Sequence, residues 1–250
     1  MKNGLRIVCQ SVLLLGTGIN FRVGLIVLYD AAHKQTTIDS LLIGDWPRTM
    51  QAMSSNPTLI IVPGWRDSGP GHWQSLWADS LTHAVRVQQD DWISPTRSAW
   101  VRSIANTIQA QDGPVVLVGH SLGAIAITHL PLEAVTRVQG ALLVAPADPE
   151  RRAPLVDFAP VPYQPLPYRS VLVASSNDPY CSVRTAGAYA RSWGSEFVRL
   201  QNAGHINVES GFGDWPLGLA LLQSLVGAPL ALNPPVQSPA SLTHLHLQSA

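Results

Sequence analysis

From Thr58 onward, short apolar runs alternate with stretches whose apolar residues recur every three or four positions. Thr58-Leu59-Ile60-Ile61-Val62 is apolar almost without interruption, the pattern of a strand buried on both faces of a parallel sheet. Similar runs recur at 115–118, 141–144 and 171–174, with shorter ones at 85–87 and 196–198. Between them, 73–83, 97–109, 122–129 and 183–193 read as helices, and 217–225 closes the pattern. In 97–109, Val101, Ile104, Ala105 and Ile108 fall on one helical stripe. About six strands alternating with helices predict an α/β fold: a mostly parallel, doubly wound sheet with helices on both faces.

This alternation places the folded domain at 53–226. The flanks lack it. In 1–52, Lys2 and Arg6 precede an apolar stretch that continues loosely to Leu28 and is broken by Asn20 and Arg22. Three readings stand: a segment upstream of a true start at Met50 or Met53, a signal or anchor, or a structured extension. Residues 157–168 are rich in proline and predict a surface loop. Residues 227–250 have no sustained period and read as a disordered tail.

The composition is 46% hydrophobic and 13% charged, which is that of a globular chain with a well-filled core. Sixteen Lys and Arg balance sixteen Asp and Glu, so no single-sign field gathers nucleic acid or anionic lipid. Neither partner is expected, and a membrane enters only if 1–28 is an anchor. Cys9 and Cys181 cannot build a disulfide framework, and no Cys/His cluster has zinc spacing. No metal or cofactor is expected. This cysteine usage fits a cytoplasmic protein, with membrane anchoring or export as the alternative.

Gly119-His120-Ser121-Leu122-Gly123 has the form G-x-S-x-G, between a predicted strand and a predicted helix. A tight turn there forces the serine into a strained conformation above the sheet edge, where it can act as a nucleophile. Serine needs a base, and on such a sheet the base follows the last strand. His205, in Ala203-Gly204-His205-Ile206-Asn207, is so placed. The acid that orients it should follow a strand between the two. Asp178 does, directly after 171–174, and Asp148 is its rival one strand earlier. Two backbone amides would complete an oxyanion hole: that of Leu122, after the serine, and that of Trp65, in the loop after the first strand. Gly64 would let that loop approach closely. Gly64 and His120 are the substrate-pocket candidates.

These stretches resemble the small serine hydrolases of the retinoblastoma-binding protein 9 and YdeN type. The likeness rests on Ile61-Val62-Pro63-Gly64-Trp65, Gly69-Pro70-Gly71-His72-Trp73, Val118-Gly119-His120-Ser121-Leu122-Gly123, Ser176-Asn177-Asp178-Pro179, Gly204-His205-Ile206-Asn207 and Gly211-Phe212-Gly213. It runs from Thr58 to Val226. The resemblance implies a compact α/β-hydrolase without a cap domain, and a triad of Ser121, Asp178 and His205. It does not imply retinoblastoma binding, since neither cysteine lies in a Leu-x-Cys-x-Glu motif. The expected activity is that of a carboxylesterase-like serine hydrolase, cleaving a small carboxylic ester, or a thioester or amide, through an acyl-serine intermediate. Two alternatives remain: a non-catalytic binding or scaffold protein on the same fold, and a cofactor-free haloperoxidase or lyase.

Overall fold

The computed structural model describes residues 56–233. The extension expected at 1–52 and the chain from 234 lie outside them. Six strands form one sheet: β1 (Thr58–Val62), β2 (Ala84–Arg86), β3 (Val115–His120), β4 (Val138–Val144), β5 (Arg169–Ser175) and β6 (Glu196–Leu200). Their order is β2-β1-β3-β4-β5-β6, and every pairing is parallel. Parallel neighbours need crossovers, which are supplied by α1 (Trp73–Ser80), α2 (Arg97–Gln109), α3 (Leu122–Thr128) and α4 (Val183–Trp193), with α5 (Pro216–Val226) last.

The period of two along each strand sends alternate side chains to opposite faces. Ile60, Val62, Leu117, Leu143 and Leu172 pack with α2, α3 and α4 through Trp100, Ile104, Ile125 and Trp193. Leu59, Ile61, Val116, Val118 and Leu142 pack with α1 and α5 through Trp73, Trp77 and Leu222. Both faces are apolar because both are covered, which explains the uninterrupted runs in the sequence.

The strand order reverses at β1, whose chain leaves first to β2 and then returns on the other side to β3. In open α/β sheets the crevice at such a reversal, beyond the carboxyl ends of the strands, is where ligands bind. The residues following β1 and β3 are Pro63-Gly64-Trp65 and Ser121-Leu122.

Two stretches depart from expectation. The proline-rich segment was expected on the surface, yet it and the residues before it bury Leu155, Phe158 and Val161 against the α2–α3–α4 side. Single apolar residues spaced among prolines give no period, so this contribution has no sequence signature. At the other end, 227–233 belongs to the stretch expected as a tail, but it packs beside the end of α1. Leu232 bridges Leu81, and Asn233 donates through its amide to the Ser80 carbonyl at 2.7 Å.

Candidate active site

Strand β3 delivers its last residue, His120, opposite Val144 of β4, and the chain then turns sharply into α3. Ser121 occupies that turn at φ 53° and ψ −119°, in a region a non-glycine residue enters at a cost of about 1–3 kcal/mol. Its amide donates to the Val144 carbonyl at 3.0 Å, so the sheet itself holds the strained residue. Gly123 is required by close approach: a Cβ there would overlap the carbonyl oxygens of Val62 and Pro63. The first turn of α3 is thereby pressed onto the end of β1.

Three loops at the carboxyl edge converge on the serine. His205 Nε2 lies 2.9 Å from Ser121 Oγ. On the other side of the ring, His205 Nδ1 lies 3.0 and 2.9 Å from the two Asp178 carboxylate oxygens. An ionised carboxylate only accepts, so Nδ1 carries the proton and donates to Asp178. Nε2 is left with its lone pair facing the serine hydroxyl. The carboxylate is shielded, its side chain 2% exposed. Tyr180 packs on the imidazole with ring centres 4.2 Å apart, and the Arg152 guanidinium lies over the Tyr180 ring at 4.4 Å.

Asp148, the alternative acid, is occupied elsewhere: its carboxylate accepts from the Glu150 amide at 3.3 Å and caps a short 3-10 turn. Leu122 opens α3, where the first amides of a helix have no partner within it. Gly64 brings the loop after β1 against the nucleophile, since a Cβ on it would stand 2.9 Å from Ser121 Cβ. Next to it, the Trp65 indole donates to the Ile93 carbonyl at 2.8 Å, with the Arg66 guanidinium over its ring. His120 is buried, its Nε2 bonded to the His205 carbonyl at 2.9 Å. Its ring is thus engaged with the loop that carries the base. Burial pushes its pKa well down, and the neighbouring His205 and His72 push it further.

Several polar residues with no assigned role in the sequence reading hold this edge together. Gln74 is fully buried and donates to the carbonyls of Val62 (3.0 Å) and Val118 (3.1 Å), joining the ends of β1 and β3. Asn177 Oδ1 accepts from the Gly204 amide and from Ser175 Oγ, both at 2.8 Å, and so ties the acid loop to the base loop. Ser210 Oγ accepts from the His205 amide at 3.0 Å. The only available signal was adjacency: Asn177 precedes Asp178, and Gly204 precedes His205.

Residues 59–224 match the model of a family described as serine hydrolase. The chain belongs to the serine hydrolase family. A YdeN-like hydrolase from Pectobacterium atrosepticum SCRI1043 is 38% identical, with a TM-score of 0.64 over 69% of this chain and 91% of that one. The ydeN gene product from B. subtilis is 18% identical, with a TM-score of 0.56 over 69% of this chain and 100% of that one. An alpha/beta superfamily hydrolase from Oenococcus oeni PSU-1 is 12% identical, with a TM-score of 0.54 over 70% and 95%, and shares the fold. No curated protein matches. The hydrolase therefore sits with the YdeN-like proteins, while nothing in these likenesses extends to retinoblastoma-binding protein 9. Among the described residues, no helix is long and apolar enough to cross a membrane.

Proposed function

We propose that this hydrolase cleaves small carboxylic esters through an acyl-serine intermediate, with Ser121 as nucleophile, His205 as general base and Asp178 as the acid that orients it. The observation that carries the reading is the continuous line from the Asp178 carboxylate through both ring nitrogens of His205 to Ser121 Oγ, each contact at 2.9–3.0 Å. In the acylation step, Ser121 Oγ bonds to the ester carbonyl carbon and its proton passes to His205 Nε2. The carbonyl oxygen becomes an oxyanion facing the amides of Leu122 and Trp65. As the tetrahedral species collapses, the bond to the alcohol breaks and the imidazolium returns its proton to the leaving oxygen. Water then repeats the sequence on the acyl-serine, releasing the acid and restoring the serine. Asp178 accepts the Nδ1–H throughout, fixing the tautomer and stabilising the imidazolium.

The strained Ser121 favours catalysis over a binding-only role, because strain without a chemical use only costs stability. Short acyl groups are favoured because the segment between β4 and β5, where a cap would be inserted, places Leu155, Phe158 and Val161 in the core. We assign the activity to 53–226. The cysteine usage favours a reducing compartment such as the cytoplasm: the Cys181 thiol is buried and its pKa is pushed up to about 12, chiefly by desolvation. The test is a panel of p-nitrophenyl esters of increasing acyl length, with Ser121→Ala as the control. Turnover that peaks at two to four carbons and vanishes in the control supports the reading. Turnover that persists in the control, or none on any ester, overturns it.

A further inference from the structure

We propose that His120 is a positioning residue, which fixes the catalytic base through a hydrogen bond from its Nε2–H to the main-chain carbonyl of His205. The proposal rests on the esterase reading above and adds to it a residue outside the triad.

His205 sits where the backbone has no regular structure to hold it. The residues on either side, Gly204 and Ile206, both have positive φ, at 54° and 51°. No strand ladder reaches this turn; the Ile206 amide bonds to the Ala203 carbonyl at 3.1 Å, and the other polar groups of His205 and Ile206 are held by side chains. The His205 amide donates to Ser210 Oγ at 3.0 Å, and the Ile206 carbonyl accepts from the Trp73 indole at 2.9 Å. The His205 carbonyl accepts from His120 at 2.9 Å. A carbonyl oxygen only accepts, so His120 Nε2 carries the proton whatever the state of Nδ1.

The His120 bond differs from the other two in where it originates. His120 is the residue before Ser121, the last residue of β3 and the register partner of Val144. The carbonyl of that same Val144 receives the Ser121 amide. Nucleophile and base are thus fixed to register partners, Val144 and His120, at the ends of two neighbouring strands. A displacement of the base loop away from the serine must stretch the His120 bond. The His120 ring is itself confined, with His72 at 4.8 Å, Trp73 at 5.9 Å and His205 at 4.8 Å between ring centres. His72 is confined in turn, since its Nδ1 accepts the Gln74 amide at 3.1 Å as the N-cap of α1. Burial disfavours a proton on Nδ1 of His120, so the ring remains a neutral donor beside the base.

A catalytic group displaced by about 1 Å loses roughly 100-fold in rate, which sets the scale of the effect. The experiment compares His120→Phe and His120→Leu, which lack a donor, with His120→Gln, whose side-chain amide can reach the same carbonyl. Each is assayed for kcat and KM on the best p-nitrophenyl ester and for melting temperature. The donor-less variants should lose roughly 10- to 100-fold in kcat with KM within about twofold of wild type. His120→Gln should recover most of that loss. Equal losses in Gln and donor-less variants, unchanged kcat in all three, or a loss confined to KM would each overturn the proposal. If the donor-less variants fail to fold while His120→Gln folds and is active, the bond serves folding rather than positioning, and the proposal is also overturned. Wild-type turnover against Ser121→Ala in the same assay separates these outcomes from a failure of the esterase reading.

Discussion

Replacing Asn177 by alanine should loosen the joint between acid and base without touching either. Asn177 Oδ1 holds the Gly204 amide and Ser175 Oγ, each at 2.8 Å. Ser175 is fully buried, and its hydroxyl already accepts from the Ala203 amide at 2.9 Å. Removing Asn177 takes away the acceptor for the Ser175 hydroxyl proton, at a cost of about 1 kcal/mol. The bond to Gly204 lies at the surface, where water can replace it, and contributes about 0.5–1 kcal/mol. The sum, about 1.5–2 kcal/mol, corresponds to a fall in melting temperature of roughly 3–8 °C for a domain of this size. The catalytic effect should exceed what stability alone implies, because Asn177 directly precedes the proposed acid Asp178 and its bond to Gly204 ends one residue before the proposed base His205. A loss in kcat of roughly 10- to 100-fold is expected, with KM little changed. Thermal unfolding and ester kinetics on the same preparation measure both. A melting temperature within 1 °C of wild type together with full kcat would refute the reasoning, since it would mean that the two loops are held independently.

Ser121→Ala and His205→Ala should each lower ester turnover by roughly 10⁴- to 10⁶-fold, and Asp178→Asn by a similar or somewhat smaller factor, because triad members act as a unit. Asp148→Asn, measured in the same assay, should cost less than about tenfold; a loss equal to that of Asp178→Asn would reopen the choice of acid. Acid should also destabilise the fold through His72, whose pKa is pulled down to about 4, first by burial and then by His205 and Arg86. Between pH 6.5 and 4 the unfolded state binds the proton that folded His72 refuses, so stability is full above pH 6.5 and is lost as pH falls. The loss attributable to this residue between pH 7.5 and 5 is about 2 kcal/mol. Melting curves at the two pH values should show it in wild type and show less in His72→Asn, which keeps a side chain able to cap α1.

The central strands were legible because both faces of the sheet are covered, so Leu59 to Val62 and Val115 to Val118 are apolar at every position. Helices α2 and α4 were legible with their ends, α4 because Ser182 caps the Thr185 amide and Gly194 adopts the left-handed conformation after Trp193. The extension of β3 through Gly119 and His120 was not legible. It depends on pairing with β4, a contact between distant parts of the chain. The candidate site was legible as far as its proposed nucleophile and base, since strand ends and chain order single out Ser121 and His205, with Asp178 preferred to Asp148 as the acid. The groups that hold them were not. Gln74, Asn177 and His120 act through backbone atoms far along the chain, and a polar residue carries no mark of such a partner. The choice between Asp178 and Asp148 was of the same kind: both follow strands, and only the three-dimensional paths of their loops bring one to His205.

The central claim is that Ser121 Oγ is the atom acylated. It is tested most directly by intact-mass measurement after treatment with a fluorophosphonate, which traps an activated serine as a stable phosphonyl adduct. The account predicts one adduct per chain, mapped to the peptide containing Ser121, and abolished both by Ser121→Ala and by His205→Ala. An adduct that survives Ser121→Ala, or wild-type protein that turns over esters without forming one, would contradict it.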